Sequence, residues 1–408
     1  MGYKILFPFL IATVLLMGVM HLNATAQTGE ETWTQPINLS NSGAAKFPAA
    51  TVDANGVIQV IWMDSIAGLQ YARYLNNQWS SPRSLDVLAF RRTVPRLVST
   101  KSGYVHAFWI DERNNLLYSK VVGQYMGDVR SWSAVFKLDT GVVKFDVNVD
   151  NQGEMHLAYV RASDEGNSPA GIYYRRSLDE GVHWWQPIGV FESSYIRTLT
   201  TDNASIQVTS ASSGDHRYVY IVWDNSVRKQ VAFARSIDNG GKFDPAVEID
   251  RPDLSTNSIN PFHIRVGAMG DGIILVWQNG DSDVVCNQYY LASGDAGATW
   301  SDPRPMLENF SGCAKDNTFL LLTSGRLILQ TTYQSQVYFL AFDGKQWSEP
   351  QFQPGISTFV DSATSTSVSF DCRQPLMMGN DQLYEVGCDT GSSNDIWVTS
   401  RKLTSTDD

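Results

Sequence analysis

The sequence predicts an all-β protein, a β-propeller of four-stranded blades, and three observations lead to that prediction. One strand pattern recurs seven times along the 408 residues. The recurring strands are rich in β-branched and aromatic residues and have no long 3.6-residue periodicity, which excludes helical repeats. A segment near the N-terminus supplies a strand that the last repeat lacks, so the two ends of the chain are expected to close one ring.

The first residues have the order of a secretory signal. One cation, Lys4, precedes an apolar run of sixteen residues from Ile5 to Met20, and Ala24-Thr25-Ala26 follow. This order predicts a signal peptide over residues 1–26, with a retained membrane anchor as the alternative. Because a membrane span needs about 20 residues, the run favours removal. We expect a secreted, extracellular or periplasmic protein whose propeller covers residues 27–408, with no membrane span after cleavage.

Each copy of the repeat begins with a glycine or polar residue, continues as an apolar strand that usually ends in an aromatic residue, and leads into a polar loop. Consecutive copies start 47 to 64 residues apart, a period typical of propellers and solenoids. The copies are GVIQVIWMD from Gly56, GYVHAFWID from Gly103, GEMHLAYVR from Gly153, RYVYIVWD from Arg217, GIILVWQN from Gly272, GRLILQTTY from Gly325 and DQLYEVGCD from Asp381. Seven copies predict seven blades. Six would result if a weak copy, such as that at Gly325, were an insertion.

An aromatic residue followed closely by proline marks the outermost strand of most blades. Proline fits there because an edge strand need not donate every backbone N–H. The same signature occurs at Trp33-Thr34-Gln35-Pro36, ahead of any complete repeat, whereas the last repeat ends at residues 396–403 without one. We therefore predict that residues 33–39 form the outer strand of the last blade.

Charge and cysteine content narrow the class of function. A net charge of −11 without clustered cations argues against nucleic acid as a partner. No CxxC or histidine-rich spacing indicates a metal site, and we expect no cofactor. In an oxidising compartment the four cysteines allow two disulfides. The pairing of Cys286 with Cys313 and of Cys372 with Cys388 is favoured, although four cysteines allow three connectivities.

Three turns share a tighter pattern, S-x-D-x-G-x-x-W/F. In such a turn the aspartate can accept backbone N–H groups, the glycine supplies a positive φ, and the aromatic residue packs between sheets. The pattern comprises Ser177, Asp179, Gly181 and Trp184; Ser236, Asp238, Gly240 and Phe243; and Ser293, Asp295, Gly297 and Trp300.

These turns resemble the Asp boxes, or BNR repeats, of the sialidase-like superfamily, and the resemblance covers essentially the whole chain after residue 26. In that family the boxes lie between the third and fourth strands of a blade, away from the catalytic face. The resemblance therefore implies a structural role for Asp179, Asp238 and Asp295. It directs the search for a glycan or glycoconjugate site to the opposite, loop-bearing face.

The resemblance also implies a set of catalytic residues. A sialidase of this family holds the substrate carboxylate with three arginines and uses a tyrosine assisted by a glutamate as nucleophile and an aspartate as acid/base. The family motif F/Y-R-I-P corresponds to Ala45-Lys46-Phe47-Pro48, where lysine replaces arginine and loses the bidentate fork. Asp64 stands where the acid/base loop begins and is the candidate catalytic residue. Asp111 and Asp224 recur at its position, which favours a turn role instead.

The starts of the innermost strands and the loops after the aromatic-ended strands share the loop-bearing face. Trp62, Trp109 and Trp223 could offer aromatic surface to a sugar there, or pack between blades. His106 and His156 share one position inside strands, which favours a structural role. The candidate ligand-binding residues are Lys46, Arg92, Asp111, Glu112, Arg113, Arg161, Asp224, His263, Tyr333 and Arg373.

The sequence thus favours a secreted sialidase-like propeller that recognises a glycan or another extracellular ligand. An exo-α-sialidase, or another glycoside hydrolase with a divergent site, is the alternative. A protein-binding scaffold is a further one, because propellers host many unrelated functions. The feature that separates the first two is whether three cations converge on one carboxylate-sized pocket.

Overall fold

Each of the seven copies of the repeat forms the second strand of a four-stranded blade in a computed structural model of the protein. The four strands of a blade follow one another outward in antiparallel order, and the seven blades make an all-β propeller. The predicted fold and the count of seven blades are confirmed. The structure describes residues 33–76, 78–85, 94–225, 230–250, 263–282, 285–306, 314–343, 346–389, 391 and 393–403.

The strands are numbered along the chain, and the blades by their order in the ring. Blade I contains β2 (Ala45–Val52), β3 (Ile58–Asp64), β4 (Gly68–Leu75) and β5 (Gln78–Trp79), with β6 (Arg83–Ser84) also paired to β4. Blade II contains β7 (Arg96–Ser99), β8 (Tyr104–Ile110), β9 (Leu116–Val122) and β10 (Phe136–Asp139). Blade III contains β11 (Val142–Val149), β12 (Met155–Arg161), β13 (Gly171–Ser177) and β14 (Ile188–Glu192).

The second half of the ring repeats this arrangement. Blade IV contains β15 (Ile206–Ser213), β16 (His216–Asn225), β17 (Gln230–Ser236) and β18 (Val247–Asp250). Blade V contains β19 (Arg265–Met269), β20 (Gly272–Ser282), β21 (Val285–Ser293) and β22 (Arg304–Pro305). Blade VI contains β23 (Ala314–Leu321), β24 (Leu327–Tyr333), β25 (Gln336–Phe342) and β26 (Gln351–Phe352). Blade VII contains β29 (Met377–Gly379), β30 (Gln382–Cys388), β31 (Ile396–Lys402) and β1 (Ile37–Asn38).

The N-terminal strand closes the ring as predicted. In β1, Ile37 pairs with Val398 of β31 in antiparallel register. The backbone N–H of Thr34 donates to Ser400 at 2.8 Å and extends the pairing. The last blade is therefore built from both ends of the chain.

Helical structure and the remaining hairpin are minor. The predicted signal peptide over residues 1–26 and the candidate Arg92 lie outside the described residues. Among the residues described, no helix has the length and apolar character to cross a bilayer. The short elements are the 3-10 helices Gly123–Tyr125, Val129–Ser131, Ser194–Thr198 and Pro354–Ile356 and the hairpin of β27 (Thr358–Val360) with β28 (Ser367–Ser369).

Aromatic residues near the ends of the second strands pack between blades. Trp62 is fully buried, and Trp109 and Trp223 are 2% and 1% exposed. Trp109 shares an apolar cluster with Tyr71 of blade I, and Trp223 shares one with Tyr174 of blade III. These tryptophans therefore hold neighbouring blades together and present no face to a ligand.

The three aspartate-containing turns lie between the third and fourth strands, on what we call the lower face. The Asp179 carboxylate accepts the Ser177 hydroxyl at 3.0 Å and the His183 backbone N–H at 2.8 Å. Asp238 and Asp295 accept the equivalent serine and backbone groups. Each motif also packs its aromatic residue on the preceding blade: Trp184 on Phe108, Phe243 on Tyr174 and Trp300 on Phe233.

One predicted disulfide is present. Cys372, in the segment before blade VII, is bonded to Cys388 at the end of β30, as the favoured pairing expects. Cys313 and the side chain of Cys286 lie outside the described residues. The disulfide fixes the segment before blade VII against the second strand of that blade.

Candidate functional site

The ring encloses a central cavity of about 860 Å³. The first strands of blades III to VI form most of its wall, and Arg96 of blade II and Arg373 contribute side chains from the remaining arc. The connections between the second and third strands define an upper face, opposite the lower face. The cavity extends from the lower turns at Gly270 and Gly325 to Asp202, which precedes the first strand of blade IV.

The first strands are irregular near their upper ends. In blade III the register shifts between Val142 and Lys144. In blade VI it shifts between Lys315 and Thr318, and Asp316 within the bulge has a φ of +54°. A bulge adds a residue to one strand and re-aims its side chains. The irregular strand ends thus bring charged residues to the cavity wall.

Arg373 reaches the cavity from a break in the first strand of blade VII. The backbone N–H groups of Asp371 and Gln374 bond to Cys388 at 2.7 Å and to Val386 at 2.8 Å, while β29 pairs further along the same strand. Arg373 lies between Asp371 and Gln374, where these isolated bonds replace the regular ladder of a strand. Its side chain lines the cavity.

A buried carboxylate fixes the Arg373 guanidinium. Its Nη1 donates to Glu385 Oε1 at 2.9 Å and its Nη2 to the Ile356 carbonyl at 2.6 Å. Glu385 is fully buried and also accepts Gln330 Nε2 at 3.0 Å. Burial raises the pKa of Glu385 and outweighs the opposing effect of Arg373. Arg373 is thus held rigidly, with its charge offset by its partner.

Arg96, Lys144 and Arg265 line the same cavity from blades II, III and V. Arg265 donates Nε to the Asn317 carbonyl and Nη1 to the Ile264 carbonyl, both at 3.0 Å. No hydrogen bond or ion pair joins the Arg96 or Lys144 side chain to another residue that the structure describes. Burial and the charge of Arg265 lower the pKa of Lys144. Asp202 favours the charged form of Lys144, but burial and Arg265 outweigh that attraction.

Asp146 stands among these cations. It accepts the Val208 backbone N–H at 3.0 Å, a bond that joins the first strands of blades III and IV. Burial raises the pKa of Asp146, although Arg96, the Val208 N–H and Arg265 all favour its ionised form. A carboxyl group with this balance can exchange a proton closer to neutral pH than an exposed aspartate.

His263 completes the upper wall. Its pKa is lowered by burial and by the charges of Arg265 and Lys144. A lowered pKa keeps the imidazole neutral at pH 7, so one ring nitrogen is available as an acceptor. The cavity therefore combines cations, a proton-exchanging carboxyl group and a neutral histidine.

Of the described candidates from the sequence, His263 and Arg373 come together in the cavity. Lys46 is exposed on the first strand of blade I, outside the lining. Asp64 is 3% exposed and accepts the backbone N–H groups of Ile66 and Ala67 at 2.8 and 2.7 Å. This geometry is that of a turn residue.

The other candidates lie apart from the cavity. Asp111 accepts the Arg113 backbone N–H at 2.8 Å in the exposed turn that also carries Glu112. The Arg161 side chain is 2% exposed, pairs with Asp139 at 2.9 Å and lies 3.9 Å over the ring of Tyr173. Asp224 and Tyr333 are buried at the ends of their strands.

The residues that sequence reasoning missed stand on the first strands. Arg96, Lys144, Asp146, Arg265 and Asp316 all line the cavity, whereas most of the candidates predicted from sequence lie at or after the ends of the second strands. A signal was present in blade III, where polar residues alternate with apolar ones over Val142–Val149. Alternation in an innermost strand means that one side faces the axis.

Comparison with known proteins bears on the fold. No family model matches the chain, and no curated protein matches it. A polysaccharide lyase, Uly1, has a similar structure at a TM-score of 0.56 and 10% identity, with 94% of each chain covered. A protein of unknown function from Dyadobacter fermentans scores 0.47 at 13% identity, covering 91% of this chain and 99% of its own. An intramolecular trans-sialidase from Ruminococcus gnavus scores 0.41 at 12% identity, with 90% and 96% covered.

Proposed function

We propose that the protein binds an acidic carbohydrate, one that carries carboxylate groups, in the upper part of the central cavity. The observation that carries this proposal is the convergence of Arg96, Lys144 and Arg265 on one cavity. Like charges held together and partly desolvated destabilise the empty protein, as the lowered pKa of Lys144 indicates. A carboxylate between them would relieve that repulsion and accept charge-assisted hydrogen bonds.

The remaining wall suits the rest of a sugar. Asn317, Gln207 and Thr209 line the cavity beside the charged groups and can bond to hydroxyl groups. The volume lies within the range of roughly 300–1,000 Å³ that is common for small-molecule sites. The similarly folded polysaccharide lyase acts on a carbohydrate polymer, which supports the class of ligand by analogy only.

The proposed setting is extracellular or periplasmic. The N-terminal sequence has the order of a secretory signal, and the Cys372–Cys388 disulfide suits an oxidising compartment. An acidic polysaccharide or glycoconjugate is accessible there.

Cleavage of the bound carbohydrate is a second candidate function. The observation that favours it is the place of Asp146 in the cavity wall beside Arg265, where burial raises its pKa, since a carboxyl group with a raised pKa can act as a general acid at a higher pH than an exposed aspartate. Asp146→Asn retains the side-chain shape and removes the exchangeable proton. To test cleavage, the protein is incubated with an acidic polysaccharide that it binds, and new reducing ends are then assayed. Loss of product in Asp146→Asn with unchanged binding would support cleavage, and absence of product from the wild type would reject it for that substrate.

Binding is tested by affinity electrophoresis of the purified protein in gels that contain polygalacturonate, alginate or neutral dextran. We expect retardation in an acidic polysaccharide, none in dextran, and loss of retardation in Arg265→Met. Arg113→Met is the matched control, because Arg113 is exposed on the upper side outside the cavity. Retardation that disappears in Arg113→Met but persists in Arg265→Met would overturn the cavity as the site, and absence of retardation in both acidic polysaccharides would overturn the proposed ligand class.

A further inference from the structure

Phe47 is the most exposed aromatic side chain among the described residues, at 60%. It belongs to β2, the first strand of blade I, and so to the innermost layer of the propeller. The other exposed aromatic residues, Tyr125, Phe136, Trp185 and Phe352, lie on outer strands or between third and fourth strands. An apolar ring left in water at the inner edge of the ring of blades is unusual within this chain.

The position of Phe47 corresponds to that of a cavity residue. In blade I, Ala45 pairs with the end of β3 and the register then shifts between Lys46 and Ala49. In blade VI, Ala314 pairs with the end of β24 and the register shifts in the same way between Lys315 and Thr318. Phe47 therefore occupies in blade I the place that Asp316, a cavity-lining residue, occupies in blade VI.

The backbone at this place is unfavourable for a residue with a side chain. Phe47 has a φ of +54°, the same as Asp316. Left-handed conformations of bulky residues are rare and concentrate where function constrains the chain. A glycine would adopt this φ without strain, so phenylalanine at this position carries a conformational cost that glycine would avoid.

Lys46 supplies a charge beside the ring. Its Nζ lies 5.3 Å from the centroid of Phe47, within the range of a cation–π contact. Both side chains are exposed, so a sugar ring could lie on Phe47 while Lys46 reaches its carboxylate. The tryptophans of the second strands are buried and cannot supply such a surface.

We infer that Phe47 and Lys46 form a second carbohydrate subsite, which we call the rim subsite, on the first strand of blade I outside the cavity lining, in which one sugar ring stacks on Phe47. This inference rests on the proposed function, because the cavity holds one part of the acidic chain and the rim subsite holds another. The apolar C–H face of a sugar covers an aromatic ring in the way other apolar groups do, and the charged group at its edge sets the preference for a uronate. The subsite favours a chain of several sugars over a short fragment.

The test compares oligomers of two and six units, prepared from the acidic polysaccharide that retards the wild type, by isothermal titration calorimetry. Phe47→Ala should weaken binding of the six-unit oligomer about tenfold and change that of the two-unit oligomer little. Phe47→Trp should restore the longer oligomer. Phe136→Ala is the matched control, because Phe136 is an exposed phenylalanine on the outer strand of blade II.

Phe47→Gly separates function from folding. It relieves the positive φ, so its melting temperature should equal or exceed that of the wild type while the longer oligomer binds as weakly as in Phe47→Ala. Unchanged affinity of Phe47→Ala for the six-unit oligomer, with binding abolished in Arg265→Met, would overturn the rim subsite and leave the proposed function intact. Absence of wild-type binding to either acidic polysaccharide would overturn both.

Discussion

The charged residues at the two ends of the central cavity differ in how they are paired. At the lower end, Arg217 donates to Glu154 at 3.0 Å and also to Asp150, and Asn239 donates to Glu154 at 2.6 Å. At the upper end, Arg96 and Lys144 line the cavity without a bonded partner among the described residues. The lower cation forms direct ion pairs with two carboxylates, whereas Lys144 and Arg96 interact with Asp202 and Asp146 only through longer-range attraction.

This difference separates a structural network from a binding site. The lower cluster links blade III to blade IV, because Asp150 and Glu154 stand in the first turn of one and Arg217 begins the second strand of the other. The upper cluster leaves charge available in a cavity. Proteins tend to keep unfavourable charge arrangements where a ligand compensates them.

The largest expected effect removes the lower link. Arg217→Met should lower the free energy of unfolding by about 2–3 kcal/mol, because Asp150 and Glu154 lose their cation in a partly buried place. Urea denaturation measures this, and affinity for the acidic polysaccharide should stay unchanged. Arg197→Met is the control, since Arg197 forms an exposed pair with Asp164 and its removal should change little. A loss of affinity in Arg217→Met would show that the lower end also contributes to binding, which contradicts the assignment of that end to structure alone.

The next effect concerns the upper end. Arg265→Met should reduce affinity for the acidic polysaccharide at least about tenfold, because a charge-assisted contact is lost. The free energy of unfolding should fall less than in Arg217→Met. Calorimetric titration and urea denaturation of the same preparations give both values. A large loss of stability with intact binding would assign Arg265 to the framework instead.

Lys144→Met should weaken binding without lowering the free energy of unfolding, a combination expected of a site residue. Burial and Arg265 lower the pKa of Lys144, so the folded protein favours the neutral amine relative to the unfolded chain. Wild-type stability should therefore rise with pH through the lowered pKa towards the ordinary 10.5, and the variant should lack this rise. Thermal melts between pH 7 and 10.5 measure the difference, and parallel curves would contradict the account.

The smallest effect is expected at the lower end of blade II. His106 is fully buried, bonds to the Tyr118 hydroxyl at 2.8 Å, and has a pKa lowered by burial. Protons therefore bind the unfolded chain preferentially below pH 6.5, and stability should fall by up to about 1 kcal/mol between pH 7 and 5. His106→Gln should flatten this slope, because a glutamine side chain does not take up a proton in this pH range. The fold should accept the substitution, since Gln59 holds the corresponding place in blade I and accepts the Tyr71 hydroxyl at 2.6 Å. Melting temperatures measured between pH 7 and 5 test this prediction, and an unchanged slope in His106→Gln would exclude His106 as the source of the pH dependence.

Burial also acts on Glu180, the carboxylate beside His106 at 3.4 Å. Burial alone would raise its pKa, but hydrogen bonds from His106, Thr100 and Ser102 lower it to about 2. Glu180 consequently stays ionised between pH 7 and 5, and its own loss of stability begins only as the pH falls through 4.5 towards 2. The two groups can therefore be separated by pH.

Much of the fold could be predicted from sequence because each feature is local and repeated. A few residues are enough to recognise each strand copy, each of the three aspartate turns and the outer strand that begins at Trp33-Thr34-Gln35-Pro36. The strand pattern also occurs seven times, so the prediction does not depend on one copy. The favoured pairing of Cys372 with Cys388 is also confirmed. These elements depend on backbone pairing and on apolar periodicity, which short segments encode.

The sequence by itself determined the strand repeat, the order of the blades and the closure of the ring, and it predicted seven blades with six as the alternative. Only the tertiary structure decided which charged residues share the cavity, because Arg96, Lys144 and Arg265 are far apart in the chain and line one cavity only when the blades close into a ring. Arg161 and Arg373 both occupy upper positions, yet one is stacked on Tyr173 and the other lines the cavity. Repetition specifies the strands, whereas a one-residue shift at a strand end re-aims a side chain.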